Sequence, residues 1–130
     1  MIGNPPYLFA YGTLRRGGHA PLNRLLHAKA PRVGIARARG ALYRIGWYPG
    51  FVPDRHGRVT GDLLDIGLRS ALLALLDRYE ECTPDFPAPH EYRRQRIRVQ
   101  AGGRMVDAWT YVYARPVNAR RRIRTGDFLR

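Results

Sequence analysis

Cysteine, lysine and long apolar runs are nearly absent from this 130-residue chain. The single cysteine, Cys82, cannot form an internal disulfide and excludes a cysteine-rich zinc module. The longest apolar run, Ala71–Leu76, is far too short to span a bilayer. The first residues, Met1–Pro6, lack the charged start and apolar stretch of a signal peptide. The sequence therefore predicts a soluble cytoplasmic protein that contacts no membrane.

Acidic residues are also few, since ten Asp and Glu face 23 Lys and Arg for a formal net charge of +13. A balance this basic favours contact with polyanions. One hypothesis is therefore a basic, β-rich module that binds nucleic acid. Its candidate contact residues are Arg94, Arg96 and Arg98 on one strand face and the run Arg120–Arg124. The alternative is that most arginines occupy solvated surface.

Nothing in the overall composition departs from a globular protein, with 45% hydrophobic and 25% charged residues. The length suits one domain. We expect residues 1–130 to form that domain, with 115–130 as a basic C-terminal tail of six arginines and one acid.

Alternating and short apolar segments outnumber helical patterns along the chain. The predicted strands are Tyr7–Tyr11, Val33–Ile45 (with bulges or bends at Gly34 and Gly40), Val59–Ile66, Tyr92–Val99 and Met105–Tyr113. The predicted helices are Pro21–His27 and Ser70–Glu80, and the predicted loops are Thr13–Gly18, Gly46–Pro53 and Thr83–Pro89. This order predicts an α+β fold around a small, curved, mainly antiparallel sheet.

The second helix carries the clearest periodicity. Its apolar stripe consists of Leu68, Leu72, Leu75, Leu76 and Tyr79. At about 100° per residue, Glu80 lies roughly 80° from Leu72, at the stripe's margin. Asp77 and Glu81 fall near 140° and 180° and are expected to face water. Glu80 is thus the acid that helical geometry turns inward, where desolvation raises the pKa of a carboxyl group. The alternative is an ion pair between Glu80 and one of the arginines.

A second candidate is the loop Tyr11–Leu14, because a loop leaving a buried strand can aim several backbone N–H groups at one carboxylate. Other groups offer weaker patterns. The histidines His19, His27, His56 and His90 lack metal-ligand spacing, so no metal is expected. Cys82 and His90 have no motif that supports a thiolate nucleophile. The aromatics Trp109, Tyr111 and Tyr113 share one strand face, as core or pocket wall.

Taken together and in order, these pieces resemble the γ-glutamylcyclotransferase-like family, nearest to the γ-glutamylamine cyclotransferase branch and small bacterial relatives. The resemblance lies in Tyr7–Gly17, Tyr48–Pro53, Val59–Leu63, Leu76–Glu80, Tyr92–Arg94 and Ala108–Tyr111. Its most specific part is a Y-G-x-L loop followed, further along the chain, by L-D-x-[FY]-E.

The resemblance implies a barrel-like fold with a pocket at one end and an enzyme that needs no cofactor. The backbone of Tyr11, Gly12, Thr13 and Leu14 would hold a γ-glutamyl group, and Tyr111 would add a hydrogen bond. Glu80 would act as general acid and base while the substrate cyclises to 5-oxoproline and releases an amine. Two departures are Glu81, where relatives often have glycine, and a longer loop Thr83–His90. A γ-glutamyl-binding relative without catalysis is the other alternative.

Overall fold

Six strands and two helices make up the fold in the computed structural model, which describes residues 4–17 and 21–130. The strands are β1 Tyr7–Ala10, β2 Arg32–Arg44, β3 Pro49–Asp65, β4 Tyr92–Ala101, β5 Arg104–Tyr113 and β6 Arg122–Ile123. The helices are α1 Asn23–Lys29 and α2 Ser70–Tyr79, with one 3-10 turn at Ala119–Arg121. Gly18 and His19, both named above, lie outside the described residues, as do 1–3 and 20.

Five strands close into a barrel in the order β1, β3, β2, β4, β5 and back to β1. Hairpins join β2 to β3 and β4 to β5. The ring is completed where β1 runs parallel to β5, with Leu8 opposite Trp109. This closed barrel with two helices confirms the predicted α+β class and its mainly antiparallel, curved sheet.

The short strand β1 separates two apolar clusters because its side chains alternate between faces. Phe9 and Tyr11 join the barrel interior, where Phe51 and Leu63 are also buried. The other face belongs to a cluster beneath the two helices, composed of Leu8, Ala10, Leu26, Leu64, Leu72, Leu76 and others. Buried on both sides, β1 fixes the position of the loop that follows it.

The prediction that Gly46–Pro53 is a loop was wrong over its second half. Pro49 begins β3, which pairs with β2 from Arg44 onward. Proline is tolerated at the first residue of a strand, as Pro49 is, and at an irregularity, where Pro53 lies opposite Gly40. The irregularities predicted at Gly34 and Gly40 are confirmed by register shifts at both.

The helix α2 was correctly located, but too many residues were assigned to its buried apolar stripe. Leu72 and Leu76 are buried, whereas Leu75 is 41% exposed. Leu68 precedes the helix and is 83% exposed, because the helical phase begins only at Ser70. Neither of the two described helices is long and apolar enough to cross a membrane.

Helix α1 lies two residues later than predicted. Pro21 belongs to the preceding turn, since the first helical hydrogen bond runs from Leu26 N–H to Leu22 O. The helix ends at Lys29 because Ala30, which precedes a proline, is extended.

Residues 115–130, expected as a tail, pack back on the barrel. Strand β6 pairs with β2 at Leu42 and Tyr43. The N–H of Thr60 donates to Gly126 O at 2.8 Å, and Asp127 reaches the buried Arg15.

Candidate active site

A cavity of about 410 Å³ opens at the end of the barrel beneath the two helices. It is enclosed by β1 and the loop after it, the β2–β3 turn, the end of α2 and the starts of β3 and β4. All six predicted site residues line this one cavity, namely Tyr11, Gly12, Thr13, Leu14, Glu80 and Tyr111. Its size lies within the range of small-molecule sites.

Glu80 stands at the C-terminal end of α2, where its backbone N–H still bonds to Leu76 O at 2.9 Å. Burial raises the pKa of its carboxyl group to about 8, with further raising contributions from the charges of Glu91 and then Glu81. The helical wheel anticipated the desolvation of Glu80. It could not anticipate the contribution of Glu91, which lies outside the helix.

The residue after Glu80 ends the helix with an unusual backbone. Glu81 has a φ of 56°, in the left-handed region that favours glycine. Its N–H donates to Arg78 O at 3.0 Å, and the N–H of Cys82 donates to Asp77 O at 3.1 Å. This pair of bonds is the Schellman motif. The prediction that Glu81 faces only water was wrong in part, because leaving the helical phase at this residue places Glu81, although exposed, in the cavity lining.

The loop Tyr11–Leu14 is held rigidly by its carbonyl oxygens. Asn23 donates to Thr13 O at 3.0 Å and to Arg15 O at 2.6 Å, and His27 Nε2 lies 2.9 Å from Leu14 O. These two α1 side chains bind carbonyl oxygens of the loop and do not compete for its backbone N–H groups. The close packing requires glycine at position 12, since a Cβ there would lie 2.6 Å from Pro49 Cγ.

A buried ion cluster supports the same loop from behind. Arg15, whose side chain is 5% exposed, bonds to Asp127 at 2.7 Å and lies 3.6 Å from Asp62. Asp62 also accepts from Arg16 N–H at 2.8 Å and pairs with Arg32 at 3.1 Å. The sequence analysis missed this cluster, because its members are distant along the chain.

Tyrosines line most of the remaining wall, and their hydroxyl groups are engaged. Tyr11 donates to Tyr111 O at 2.6 Å, and Tyr92 donates to Pro49 O at 2.7 Å. Tyr48 donates to Glu91 Oε2 at 2.5 Å, and burial together with this bond raises the pKa of Tyr48 to about 12. Burial likewise raises the pKa of Tyr11 and Tyr92 above the usual value. These groups therefore stay protonated at neutral pH.

Asp77 does not face open water as predicted. Its Oδ1 accepts from Tyr111 OH at 2.7 Å and from Arg94 Nε at 2.9 Å, and its side chain is 18% exposed. Its position in the helix turns it toward β4 and β5, which the helical wheel alone cannot show. Tyr111 lines the cavity, while its hydroxyl group donates a hydrogen bond to Asp77.

The remaining candidates lie apart from this arrangement. Burial raises the pKa of the Cys82 thiol, whose Sγ lies 3.5 Å from Asp77 O, and His90 Nε2 faces Phe86 O at 3.2 Å. Over residues 4–17 and 21–130, His, Cys, Asp and Glu form no cluster of three that could hold a metal ion. Trp109 contacts the guanidinium of Arg94, 4.3 Å from its ring centre, and does not line the cavity.

The three arginines of the basic face are paired with carboxylates. Arg94 bonds to Asp77, while Arg96 and Arg98 lie 3.0 and 3.5 Å from Asp107. These pairs reduce the positive charge available to a polyanion on β4.

Comparisons with known proteins identify one family. A sequence profile of the family described as "Gamma-glutamyl cyclotransferase, AIG2-like" matches residues 8–130. The chain is 36% identical over 123 residues to the gamma-glutamylcyclotransferase family protein YtfP of Escherichia coli K12, covering 94% of this chain and 95% of that protein.

Solved structures share the fold. YkqA from Bacillus subtilis superposes with a TM-score of 0.71 at 23% identity, over 95% of this chain and 39% of that one. An AIG2-like protein from Mus musculus superposes with a TM-score of 0.67 at 25% identity, over 86% of this chain and 79% of that one.

Proposed function

Because this chain belongs to the gamma-glutamyl cyclotransferase, AIG2-like family, we propose that it cyclises a small γ-glutamyl amide to 5-oxoproline and releases the free amine. The observation that carries the proposal is the pairing of Glu80 with the Tyr11–Leu14 loop across one cavity. A carboxyl group with a pKa of about 8 and a loop of backbone donors are the two components that this reaction needs.

The glutamyl end of the substrate is assigned to the loop. With Asn23 and His27 bound to the loop carbonyls, N–H groups near Gly12, Thr13 and Leu14 can donate to the substrate's α-carboxylate or to the oxyanion that forms on the γ-carbonyl. The ring of Tyr111 and the neighbouring tyrosines would hold the aliphatic part in its folded-back conformer. A well-oriented intramolecular attack is worth an effective molarity on the order of 10⁵ M or more.

Glu80 then moves the proton. An α-amine with a pKa near 8 is mostly ammonium at neutral pH, and only its neutral form attacks. In its carboxylate form, Glu80 takes a proton from this nitrogen as the new N–C bond forms. The resulting carboxyl group returns a proton to the leaving nitrogen as the amide C–N bond breaks. Glu80 therefore passes one proton from the attacking nitrogen to the leaving nitrogen and ends in its starting state. The proton that the ammonium loses to solvent before the attack is balanced when the released amine takes up a proton from solvent.

The pKa of about 8 suits both halves of this cycle. A general acid and base is most effective when its pKa lies near the operating pH. A solvated glutamate with a pKa near 4.3 would be a weaker base toward an ammonium. The buried setting of Glu80 beside Glu91 thus accounts for the choice of this acid rather than Asp77, which is bound to Arg94.

The test is Glu80→Gln, assayed by release of 5-oxoproline from a panel of γ-glutamyl amides. We expect turnover to fall by about 10²- to 10⁴-fold, because the proton transfer is lost. The control is Asp107→Asn, which removes one carboxylate from the distant β4–β5 hairpin. Undiminished turnover by Glu80→Gln would refute the mechanism. Wild-type protein that binds these amides without forming 5-oxoproline would instead be a non-catalytic relative.

A further inference from the structure

The whole chain contains three glutamates, Glu80, Glu81 and Glu91, and all of them line the cavity. The lining residues that the structure describes include no lysine, arginine or histidine. A protein with a net charge of +13 has therefore gathered all its glutamates around one cavity. This concentration of carboxylates bears on the leaving amine, which is the part of the substrate that the proposed catalytic step does not specify.

The three carboxylates differ in the cavities that they line. Glu81 and Glu91 also line an adjoining cavity of about 280 Å³, whereas Glu80 lines only the larger one. Under the proposed function, the glutamyl end of the substrate lies against the loop and the scissile amide lies beside Glu80. The leaving amine must then extend toward Glu81 and Glu91, where the two cavities meet.

Two aromatic residues complete this junction. Tyr48 donates to Glu91 Oε2 at 2.5 Å and so fixes the direction of that carboxylate. The ring of Tyr48 packs edge-on against Trp47, 5.4 Å between ring centres, and Trp47 is 67% exposed although it lines the cavity. An exposed indole beside carboxylates suits an organic cation, because the ring face attracts positive charge.

We propose that Glu81, Glu91 and Trp47 form a subsite for a second, positively charged group on the leaving amine. The preferred substrates are then γ-glutamyl derivatives of amines that carry a distal ammonium group. This inference rests on the proposed function for the position of the scissile amide.

Amino acids are poorer leaving groups under this proposal. Their α-carboxylate is attached next to the scissile nitrogen and would approach Glu80 and Glu91 without a neutralising cation from the described lining. The adjoining cavity is lined by two basic residues, Arg115 and His90. Both are engaged by backbone carbonyls, since Arg115 Nη2 donates to Pro89 O at 3.2 Å and His90 Nε2 lies 3.2 Å from Phe86 O. Like-charge contacts of this kind discriminate strongly against the wrong ligand.

Three γ-glutamyl probes of matched length test the subsite. They are N-(γ-L-glutamyl)-1,4-diaminobutane, its neutral isostere N-(γ-L-glutamyl)-n-pentylamine and the carboxylate analogue made with 5-aminopentanoic acid. At low ionic strength we expect kcat/KM for the diamine compound to exceed that for the neutral compound by about tenfold, and that for the carboxylate compound by about a hundredfold. Equal values for the diamine and neutral compounds, or a preference for the carboxylate, would overturn the proposal.

The double variant Glu81→Gln/Glu91→Gln tests the residues themselves. We expect the ratio of diamine to neutral kcat/KM to fall to less than about threefold, because both carboxylates are replaced by amides of the same shape. The matched control Asp54→Asn/Asp107→Asn changes the net charge equally, away from the cavity lining, and should keep the tenfold ratio. A ratio that survives in the glutamine variant would overturn the assignment.

Binding separates failure of the subsite from failure of the proposed function. If the wild type cyclises none of the probes, the proposed function fails, and affinities for Glu80→Gln, measured by calorimetry, decide the subsite alone. Tighter binding of the diamine compound, lost when Glu81 and Glu91 are also replaced by glutamine, would support the subsite. Equal affinities for the three probes would overturn it.

Discussion

Glu80 and Glu91 are two carboxylates that line the same cavity but have different local environments. Glu91 accepts a hydrogen bond from Tyr48, whereas burial and the nearby negative charges favour the protonated form of Glu80. The environment thus assigns the transferable proton to Glu80. Pairs of acids that are separated in this way commonly divide the tasks of proton donor and electrostatic partner.

Replacing Glu91 by glutamine should shift the pH dependence of the enzyme. The negative charge of Glu91 raises the pKa of Glu80, so its removal lowers that pKa and makes the carboxylate available at lower pH. Because the substrate's α-amine also ionises near pH 8, we expect log(kcat/KM) of the wild type to rise with a slope of about two below pH 8, and the ionisation of Glu80 in Glu91→Gln to move to lower pH, which leaves a slope of about one just below pH 8. Steady-state kinetics between pH 5 and 10 measure this shift.

The control for this pH shift is Asp107→Asn, which removes a carboxylate paired with Arg96 on the β4–β5 hairpin and should leave the rising limb in place. A rising limb in Glu91→Gln that keeps the slope and midpoint of the wild type would contradict the role given to Glu91. A move to higher pH would contradict the sign.

At the scale of one element, the end of α2 determines where the carboxyl group of Glu80 points. The Schellman bonds from Glu81 and Cys82 close the helix immediately after Glu80. A residue with a Cβ in left-handed backbone costs roughly 1–2 kcal/mol, part of which glycine regains. The chain therefore keeps a carboxylate here at the expense of some stability.

Substituting Glu81 by glycine should accordingly stabilise the fold. We expect the free energy of unfolding to rise by about 0.5–1 kcal/mol. The relief of backbone strain in the folded state outweighs the entropic cost of glycine's extra flexibility in the unfolded chain. Urea denaturation measures the change. Glu81→Ala removes the same charge but keeps the Cβ, so it should give no such gain. Equal stabilisation by alanine would show that charge repulsion, rather than backbone strain, is relieved.

At the scale of the whole molecule, the last residues of the chain support the loop at its other end. Arg15, which lies three residues after Gly12, is buried and bonds to Asp127. Asp62 of β3 belongs to the same cluster. Barrel, loop and C-terminal segment are thereby connected through one guanidinium group. A segment that looked like an appended tail therefore binds the residue that follows the cavity-lining loop Tyr11–Leu14.

The replacement Asp127→Ala should be strongly destabilising. Removing one partner of a buried ion pair leaves the other charge poorly compensated, and we expect a loss of about 3 kcal/mol in the free energy of unfolding. The comparison variant is Asp85→Ala, which breaks an equally short pair with Arg78 whose two side chains are 58% and 56% exposed. That variant should change stability little, because exposed ion pairs are screened by solvent. Similar losses in both variants, seen by thermal denaturation, would show that burial of the Arg15 pair is unimportant.

Much of the fold could be predicted because its signals are local. Short apolar and alternating segments identified β1, β2, β4, β5 and the second part of β3, and the leucine periodicity located α2 within a residue of its ends. The same periodicity singled out Glu80 before any tertiary contact was known. Local patterns failed where pairing decides the conformation. Residues 49–53 contain two prolines and a glycine and were predicted as a loop, yet they form a strand because β2 supplies hydrogen-bonding partners along their length.

The order of apolar and polar residues along the chain was thus sufficient to determine the class of fold, the helix that carries Glu80 and the loop expected to face it. The tertiary structure alone decided which charges meet there: Glu91 with Glu80, Asp77 with Arg94 and Tyr111, and Asp127 with Arg15. The physical reason is that helical and strand periods repeat within a few residues, whereas electrostatic interaction depends on distance in space. Closing the barrel brings together side chains that are separated by 11 to 112 positions in the sequence.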